Sequence, residues 1–290
     1  MQDDRYQIDK TKVRAAFEQA AAHYDEVAVL QREVGARLLE RLELIKLQPQ
    51  TILDLGAGTG LLTKQLAKRY GKAQVIALDL APAMLKEAQK HIGWFSKQRF
   101  VCGDAESLPL ADDSVDMIFS NLTLQWCQDL DRAFRECYRV LKPGGLLLFT
   151  TLGPDTLKEL RASWQSVDGY SHVNAFIDMH DIGDALIRAR LADPVMDVET
   201  ITLTYHEVMG LMRDLKTLGA HNLTDGRARG LTGKQRLAAM IEAYESYREN
   251  EMLPATYEVV YGHAWGPQQK QPGHLDETGV FHFPLHHLRK

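Results

Sequence analysis

The chain has 290 residues, a formal net charge of −5 at pH 7 and a hydrophobic fraction of 45%, as expected for a globular protein with one large domain or one domain carrying an insertion. The negative charge argues against general nucleic-acid binding, and the three cysteines form no C-x-x-C pair that would indicate a zinc site or a disulfide framework. No apolar run approaches the roughly 18 residues of a membrane span, and the N-terminus lacks the apolar core of a signal peptide, so we predict a cytoplasmic protein without a membrane partner.

A helical leader is predicted ahead of the main fold, in residues 1–46. Apolar side chains recur every three to four residues from residue 10 onward, which is typical of one or two helices. Tyr24 and Gln31 are seven residues apart and would share one face of a continuous helix. Such a leader can fold over a ligand site with Tyr24 capping it, although a half-buried packing role for Tyr24 fits the spacing equally well.

The segment that organises the chain is QTILDLGAGTG, residues 50–60, with the run that continues to Asp79. A short apolar strand (51–55) leads into a glycine turn, a helix (61–70) and a second strand (74–78) that ends at Asp79. This order of elements predicts a nucleotide-binding βαβ unit. Asp79 lies where a carboxylate can accept hydrogen bonds from both hydroxyls of a ribose.

The spacing of the turn narrows the choice of ligand. Gly56, Gly58 and Gly60 follow the pattern G-x-G-x-G, one residue tighter than the G-x-G-x-x-G that seats a pyrophosphate. Asp54, just before the turn, would suit a ligand that carries positive charge. The combination favours S-adenosylmethionine over NAD, and the alternative is a flavodoxin-like fold with an empty ligand site.

Later strand ends are expected to bring further polar residues to the same edge. Three more strands, at 99–102, 115–119 and 146–151, and a helix, at 124–138, are predicted to follow. Because the carboxyl ends of parallel strands meet at one rim, Asp79, Asp104 and Asn121 should converge there. We expect Asp104 to accept from the exocyclic amine of adenine and Met84 to pack against the ring, although Asp104 taken alone also fits a turn residue.

From residue 153 the pattern changes to amphipathic helices with two short strands. Helices are predicted at 155–164, 208–218 and 235–248, and strands at 201–205 and 256–261. Insertions of this kind form lids over the active sites of α/β domains. We therefore divide the chain into a helical cap (1–46), a ligand-binding core (47–152), a lid with the closing strands (153–265) and a loosely held tail (266–290), whose histidines lack any fixed geometry for a metal.

The core resembles the class I S-adenosylmethionine-dependent methyltransferases in five segments, LDLGAGTG, ALDLAPAML, GDAESLPL, SNLTLQW and LKPGGLLLFTTL. The flanks resemble the malonyl-acyl-carrier-protein O-methyltransferases of biotin synthesis in four more, AAFEQAAAHYDEVAVLQREVG, FTTLGPDTLKELRASWQSVD, MRDLKTLGAHNL and PATYEVVYGHAW. This resemblance covers residues 12–265. It implies a doubly wound, Rossmann-like α/β sheet of seven strands, the last one antiparallel.

The resemblance also implies where S-adenosylmethionine binds. Gly56, Gly58 and Gly60 are expected near its methionine part, Asp79 at the ribose and Asp104 near the adenine. Further contacts are expected from Tyr24, Gln31, Asp54, Ala57, Leu80, Met84, Ala105, Asn121 and Leu122.

The implied reaction moves a methyl group from a sulfonium to the free carboxylate of malonyl-phosphopantetheine on acyl-carrier protein. It leaves S-adenosylhomocysteine and a methyl ester that primes pimeloyl and biotin synthesis. A carboxylate with a pKa of about 4 is ionised at neutral pH, so no general base is required. Four cations are candidates for binding the substrate carboxylate or the acidic carrier: Arg161, Arg213, Lys216 and Arg227.

Two alternative functions stay open on this sequence. The first is methylation of a small free carboxylic acid such as aconitate. The second follows from a likeness of the DTLKELR and PATY segments to complex I assembly factors, and is hydroxylation of a protein arginine, or a binding role, on the same fold.

Overall fold

The computed structural model of the protein describes residues 8–90, 97–220, 222, 233–270, 274–275 and 281–282. Within these residues the main sheet has seven strands: β1 (Thr51–Leu55), β2 (Gln74–Asp79), β3 (Gln98–Cys102), β4 (Val115–Asn121), β5 (Leu141–Leu152), β6 (Ala192–Tyr205) and β7 (Leu253–Trp265). A separate antiparallel pair consists of β8 (His274–Leu275) and β9 (Phe281–His282). The helices are α1 (Lys10–Ala20), α2 (Tyr24–Val27), α3 (Val29–Arg41), α4 (Leu61–Arg69), α5 (Pro82–Gln89), α6 (Leu130–Val140), α7 (Lys158–Gln165), α8 (Met179–Arg188), α9 (Val208–Thr217) and α10 (Lys234–Glu245).

The main sheet is mixed, with the strand order β3-β2-β1-β4-β5-β7-β6. The first five strands are parallel, and β7 runs antiparallel between β5 and β6. The order reverses at β1, which has β2 on one side and β4 on the other, and open α/β sheets bind ligands at such a switch point. The predicted doubly wound sheet of seven strands with an antiparallel last strand is confirmed.

Both faces of the sheet are covered. Ile52 and Phe119 pack on one face in a cluster that includes side chains of α3, α7, α9 and α10. Leu53 and Ile118 pack on the other face with side chains of α6 and α8. All four side chains are completely buried, which explains why β1 and β4 have continuous apolar runs in the sequence.

The carboxyl ends of the parallel strands form one rim. The backbone N–H groups of Gly56 and Ala57 both donate to the carbonyl of Leu78, at 2.8 and 2.9 Å, and the N–H of Gly103 donates to the carbonyl of Asp79 at 3.0 Å. These bonds fix the glycine turn, the end of β2 and the loop after β3 side by side. Local turn chemistry thereby sets the shape of the rim.

The leader is divided into more helices than predicted. Ala28, with φ −75° and ψ 46°, breaks the helix between α2 and α3. Tyr24 and Gln31 therefore belong to different helices, and the continuous helix on which they would have shared one face is not formed. α3 still has the expected apolar stripe, since Val34 and Leu38 are fully buried against the sheet.

The prediction of a single helix for residues 124–138 is also wrong. Leu124–Trp126 is a 3-10 turn, and α6 starts anew at Leu130. Asp129, in an extended conformation, accepts a hydrogen bond from the N–H of Arg132 at 2.8 Å and so caps α6. An aspartate ahead of an amphipathic run is a helix-start signal that the sequence did contain.

The edge of the sheet is longer than the sequence suggested. Only residues 201–205 were predicted as a strand, whereas β6 starts at Ala192 and pairs along its length with β7. Asp193, Pro194 and the exposed Asp197 obscure its alternation, and proline and charge are typical of edge strands. The preceding helix α8 was not predicted.

The tail begins with firm contacts. Gly266 exchanges backbone hydrogen bonds with Gly144 and Gly145, at 2.9 and 2.8 Å. The ammonium of Lys270 donates to the carbonyls of Tyr138 and Leu141, each at 2.6 Å. The expectation of a loosely held tail is therefore wrong for residues 266–270. None of the helices in the described part of the chain combines the length and apolar character needed to cross a membrane.

Candidate active site

A cavity, called here the rim cavity, opens at the carboxyl edge of the sheet between the glycine turn and α1. It encloses about 690 Å³ of empty space, including the part open to solvent. Ten of the fourteen residues expected at the cofactor line it: Tyr24, Gly56, Gly58, Asp79, Leu80, Met84, Asp104, Ala105, Asn121 and Leu122. These ten residues therefore lie together around one cavity, and their contact with the cofactor stays a prediction.

The glycine turn presents its backbone to the rim cavity. Gly56, Gly58 and Gly60 have φ values of 74°, 54° and 80°, in the region that favours glycine. A Cβ atom at Gly56 would collide with the side chain of Thr123, and one at Gly60 would lie 2.6 Å from the Cβ of Ala88. A Cβ atom at Gly58 would meet nothing within 4 Å, so the backbone there is open to close approach by a ligand.

Asp79 is a half-buried carboxylate that backbone N–H groups hold in place. Its Oδ2 accepts from the N–H of Gly58 and its Oδ1 from the N–H of Ala81, both at 2.8 Å. Burial raises the pKa of Asp79, and the backbone N–H groups of Ala81, Gly58 and Leu80 oppose that rise. The remaining lone pairs can accept two further donors from the cavity.

Asp104 lines the cavity with a partner that sequence analysis missed. Both of its carboxylate oxygens accept from the ammonium of Lys10, at 2.8 and 2.6 Å, and Oδ1 also accepts from the N–H of Glu106 at 2.9 Å. Lys10 itself lines the cavity. Its signal in the sequence was slight, since Asp9 and Lys10 stand directly ahead of the apolar pattern of α1.

One part of the wall of the rim cavity is apolar. Met84 and Ala105 are buried and line it, as expected, together with Leu80. Phe17 and Trp126, which were not predicted, meet edge to face with ring centroids 5.3 Å apart. Such a wall suits the flat, weakly polar faces of a nucleobase.

Four residues expected at the cofactor lie outside this lining. Asp54 is buried behind the turn and accepts from the hydroxyl of Thr63, and burial raises its pKa to about 7 against the effect of that hydrogen bond. Ala57 and Gly60 belong to the turn but are not part of the cavity lining, and Gly60 is the N-cap of α4. Gln31 lines a second cavity instead.

The second cavity, called here the lid cavity, lies between the leader helices and the elements that follow β5. It encloses about 720 Å³ of empty space, including the part open to solvent, and is lined by α1, α2, α3, β6, β7, α9 and the segments flanking α7. Four residues line both cavities: Phe17, Tyr24, Leu122 and Trp126. The two spaces therefore share one wall.

The lid cavity has polar groups inside an apolar lining. Gln31 Oε1 is buried without a hydrogen-bond partner among the described residues. Burial raises the pKa of Tyr257 well above its ordinary value, and burial followed by the charge of Asp214 raises that of Tyr205. Both phenols therefore stay protonated at neutral pH. Burial also raises the pKa of Tyr24, with the negative charges of Asp79 and Asp25 adding to the effect.

Three of the four cations expected to bind the substrate carboxylate or the carrier, Arg161, Arg213 and Lys216, do not line the lid cavity. Arg161 donates to the carbonyls of Pro154 and Thr156, at 2.7 and 3.0 Å. Arg213 and Lys216 are exposed on α9. These three cations are therefore not placed to bind a carboxylate inside the lid cavity. Arg161 instead binds the loop before α7, and the other two face solvent. Arg227 lies outside the described residues.

The described residues hold no group of three or more His, Cys, Asp or Glu side chains placed to bind a metal ion. The side chains of the tail histidines lie outside the described part of the chain.

Comparison with known proteins relates this chain to methyltransferases. A family model for a methyltransferase domain matches residues 53–149. The malonyl-[acyl-carrier protein] O-methyltransferase of Gallionella capsiferriformans is 56% identical over 270 residues, which cover 91% of this chain and 93% of that protein. The protein of the same name from Halorhodospira halophila is 49% identical over 289 residues, which cover 99% and 98% of the two chains.

Solved structures agree on the fold. A crystal structure of a Bacillus halodurans protein matches with a TM-score of 0.57 at 17% identity, over 80% of this chain and 98% of that one. Phosphoethanolamine N-methyltransferase 2 of Haemonchus contortus, in complex with S-adenosyl-L-methionine, matches with a TM-score of 0.50 at 20% identity, over 81% and 52% of the two chains. At such identities the likeness concerns the fold alone.

Proposed function

This chain belongs to the malonyl-[acyl-carrier protein] O-methyltransferases, and we propose on that premise that it methylates the free carboxylate of malonyl-acyl-carrier protein. The methyl donor is S-adenosylmethionine, and the products are S-adenosylhomocysteine and the malonyl methyl ester. We place this ester at the start of pimeloyl and biotin synthesis. The cysteines Cys102, Cys127 and Cys137 are all free, which suits a cytoplasmic setting for the reaction.

The rim cavity fits the donor by its chemistry. Asp79 offers carboxylate oxygens to the two hydroxyls of the ribose, and Asp104 offers one to the amine of the adenine. Met84 supplies apolar surface for the base, and the open backbone at Gly58 permits close approach of the methionine part. These residues would hold the donor with its sulfonium toward the shared wall.

The observation that carries the proposal is that wall. A methyl group can pass from donor to acceptor only where the two molecules meet, and Phe17, Tyr24, Leu122 and Trp126 border both cavities. We infer that the lid cavity takes the malonyl group and that transfer occurs beside these four side chains.

The chain supports the transfer by placement rather than by proton chemistry. S-adenosylmethionine supplies a methyl group on a positively charged sulfur. Holding an attacking oxygen, a methyl carbon and a sulfur in line is worth roughly 7–11 kcal/mol of barrier. The acceptor carboxylate is already ionised at neutral pH, and Tyr24, whose pKa is raised, can donate a hydrogen bond but not act as a base. Apolar walls that exclude water favour a step in which opposite charges disappear.

Recognition of the malonyl carboxylate falls to neutral groups in the described lining. Gln31, Asn174 and Tyr257 carry amide or hydroxyl groups there, and Asp214 is the one charged side chain of that lining. Neutral donors position a carboxylate without the strong ion pair that would weaken it as a nucleophile. Arg227, outside the described residues, stays a candidate for the same task.

We assign Arg213 and Lys216 to the carrier protein instead. Both are exposed on α9, one of the lid helices, and Arg213 is paired with the exposed Glu207 at 2.6 Å. Exposed pairs of this kind are weak, so the arginine is available to an acidic partner. Cations at the periphery of a protein–protein interface mainly raise the rate of encounter with an acidic partner.

The proposal is tested by incubating the protein with methyl-labelled S-adenosylmethionine and malonyl-carrier. Parallel reactions contain acetyl-carrier, malonyl-CoA and free malonate. We expect base-labile label in malonyl-carrier and none in acetyl-carrier, and loss of that label in Asp79→Ala. Label in free malonate alone would support the small-acid alternative, and no label in any acceptor would overturn the proposed reaction.

A further inference from the structure

Helix α1 is joined to the rim cavity through one lysine. The ammonium of Lys10 lies 2.8 and 2.6 Å from the two carboxylate oxygens of Asp104 and 2.7 Å from Oε1 of Glu106. The side chain of Lys10 is 21% exposed and that of Glu106 only 6%. Burial alone would lower the pKa of Lys10, but the hydrogen bonds to the two carboxylates outweigh it and raise the pKa, so the ammonium stays charged.

Neutral contacts join the same two parts of the molecule. The side-chain amide of Gln128 donates to the carbonyl of Ile8 at 2.5 Å, and its backbone N–H donates to Glu106 at 2.6 Å. Ile8 and Val13 are buried in a small cluster packed against Phe17, Leu80 and Trp126. The buried carboxylate of Glu106 thus accepts both from the ammonium of Lys10 and from the backbone of the segment that leads into α6.

The position of Lys10 on its helix connects this ion cluster to the shared wall. Lys10, Val13 and Phe17 are three and seven residues apart, so they lie on one face of α1. All three line the rim cavity, and Phe17 also lines the lid cavity. A displacement of α1 that breaks the Lys10 pairs would therefore move Phe17 away from Trp126.

We propose that Lys10 is a positioning residue, which closes α1 over the rim cavity by pairing with Asp104 and Glu106 and thereby completes the wall between donor and acceptor. The inference rests on the donor-binding part of the proposed function. Closure is compatible with a bound donor, because a carboxylate has about four acceptor positions and three of those on Asp104 are used by Lys10 and the N–H of Glu106. One position on Oδ2 is left for an adenine amine.

The test compares Lys10→Met with Arg14→Met, which removes one positive charge from the same helix. The side chain of Arg14 is 53% exposed, and its Nε lies 3.9 Å from Oε1 of Glu18, which makes this a long and weak pair. Two quantities are measured, the Kd of S-adenosylhomocysteine by calorimetry and the hydrogen exchange of residues 10–27 with and without it. In the wild type, S-adenosylhomocysteine should slow hydrogen exchange on α1. We expect Lys10→Met to raise the Kd by about tenfold or more and to abolish that slowing. Arg14→Met and Lys10→Arg should keep both.

Neither measurement needs catalysis, so failure of this inference is separable from failure of the proposed reaction. Wild-type Kd and wild-type slowing of α1 exchange in Lys10→Met would overturn it. Should that variant not fold, acetylation of the native protein decides. Lys10 should react more slowly when S-adenosylhomocysteine is bound, while the rate at Lys12 stays the same. Equal rates at Lys10 with and without S-adenosylhomocysteine would overturn the inference as well.

Discussion

The backbone N–H of Gly58 donates a hydrogen bond to Oδ2 of Asp79 at 2.8 Å. One carboxylate thereby links the glycine turn after β1 to the end of β2, while its other oxygen accepts from Ala81. The two bonds compensate part of the cost of burying the charge, and they fix the direction of the free lone pairs. The turn and the acid act as one binding element.

Asp79→Asn should therefore weaken donor binding strongly. The amide would place an N–H₂ group against the N–H of Gly58 or of Ala81, and it would lose charged hydrogen bonds to the ribose, each worth about 1.5–3 kcal/mol. We expect the Kd of S-adenosylhomocysteine to rise by about 100-fold, measured by calorimetry. Asp155→Asn, at an acid whose side chain is 67% exposed, is the control. Equal affinities of the two variants would contradict the role of Asp79.

Gly58→Ala should separate backbone strain from ligand contact. An alanine at φ 54° costs about 1–2 kcal/mol of stability, and its Cβ would point into open space where the donor approaches. Donor affinity should therefore fall by more than the stability loss explains, measured by titration beside urea unfolding. Gly71→Ala is the control for the added methyl group alone, since a Cβ there also meets nothing within 4 Å and the backbone φ is not positive. Unchanged donor affinity in Gly58→Ala would mean that the turn is only structural.

Asp54 should give the protein a pH-dependent stability. Its folded pKa is about 7, above the unfolded value of about 3.9. Between those values the folded state holds a proton that the unfolded state lacks, so the free energy of unfolding falls as pH rises toward 7. Asp54→Asn removes this titration and keeps an acceptor for Thr63. Between about pH 5 and about pH 8, the free energy of unfolding of this variant should rise by about 1–3 kcal/mol relative to that of the wild type, measured by urea unfolding at each pH. A relative loss over that range would contradict the shifted pKa.

The rim of the sheet was predictable because its determinants are local. The glycine spacing, the acid at the end of β2 and the apolar strands lie within a few residues of one another, and parallel strands bring their ends to one edge. Gly58, Asp79 and Asp104 were located in this way. Met84 followed from its nearness to Asp79 along the chain.

The partners of the charged side chains were not predictable on the same grounds. Lys10 and Asp104 are 94 residues apart, and no local pattern couples them. Arg161 has the charge expected of a carboxylate ligand, yet the loop before α7 turns its carbonyls toward it. Spacing does not show which partner a long cationic side chain will find. Asp54 lies outside the lining of the rim cavity for a related reason, because a buried acid at the end of β1 can bond to the helix that follows the turn, here to Thr63 of α4, as easily as to a ligand.

Arg161→Met should mainly lower stability, whereas Arg213→Met should mainly weaken the interaction with malonyl-carrier. Loss of Arg161 leaves two carbonyls without a donor and should lower stability by about 1–3 kcal/mol, measured by thermal unfolding. Loss of the exposed Arg213 should change stability by less than about 1 kcal/mol. It should instead raise the KM for malonyl-carrier and reduce the salt dependence of the rate, with kcat little changed. The reverse pattern would return Arg161 to the substrate site.

Leu203→Trp should block the acceptor without affecting the donor. Leu203 is half-buried and lines the lid cavity only, whereas its neighbour Thr202 is exposed on the other side of β6 and serves as the matched position for Thr202→Trp. Because strand residues alternate between faces, the first indole enters the lid cavity and the second enters solvent. We expect kcat/KM for malonyl-carrier to fall by about tenfold or more in Leu203→Trp, with the Kd of S-adenosylhomocysteine within about twofold of wild type. If the acceptor bound elsewhere, both tryptophan variants would keep their activity, and the shared wall would no longer be the place of transfer.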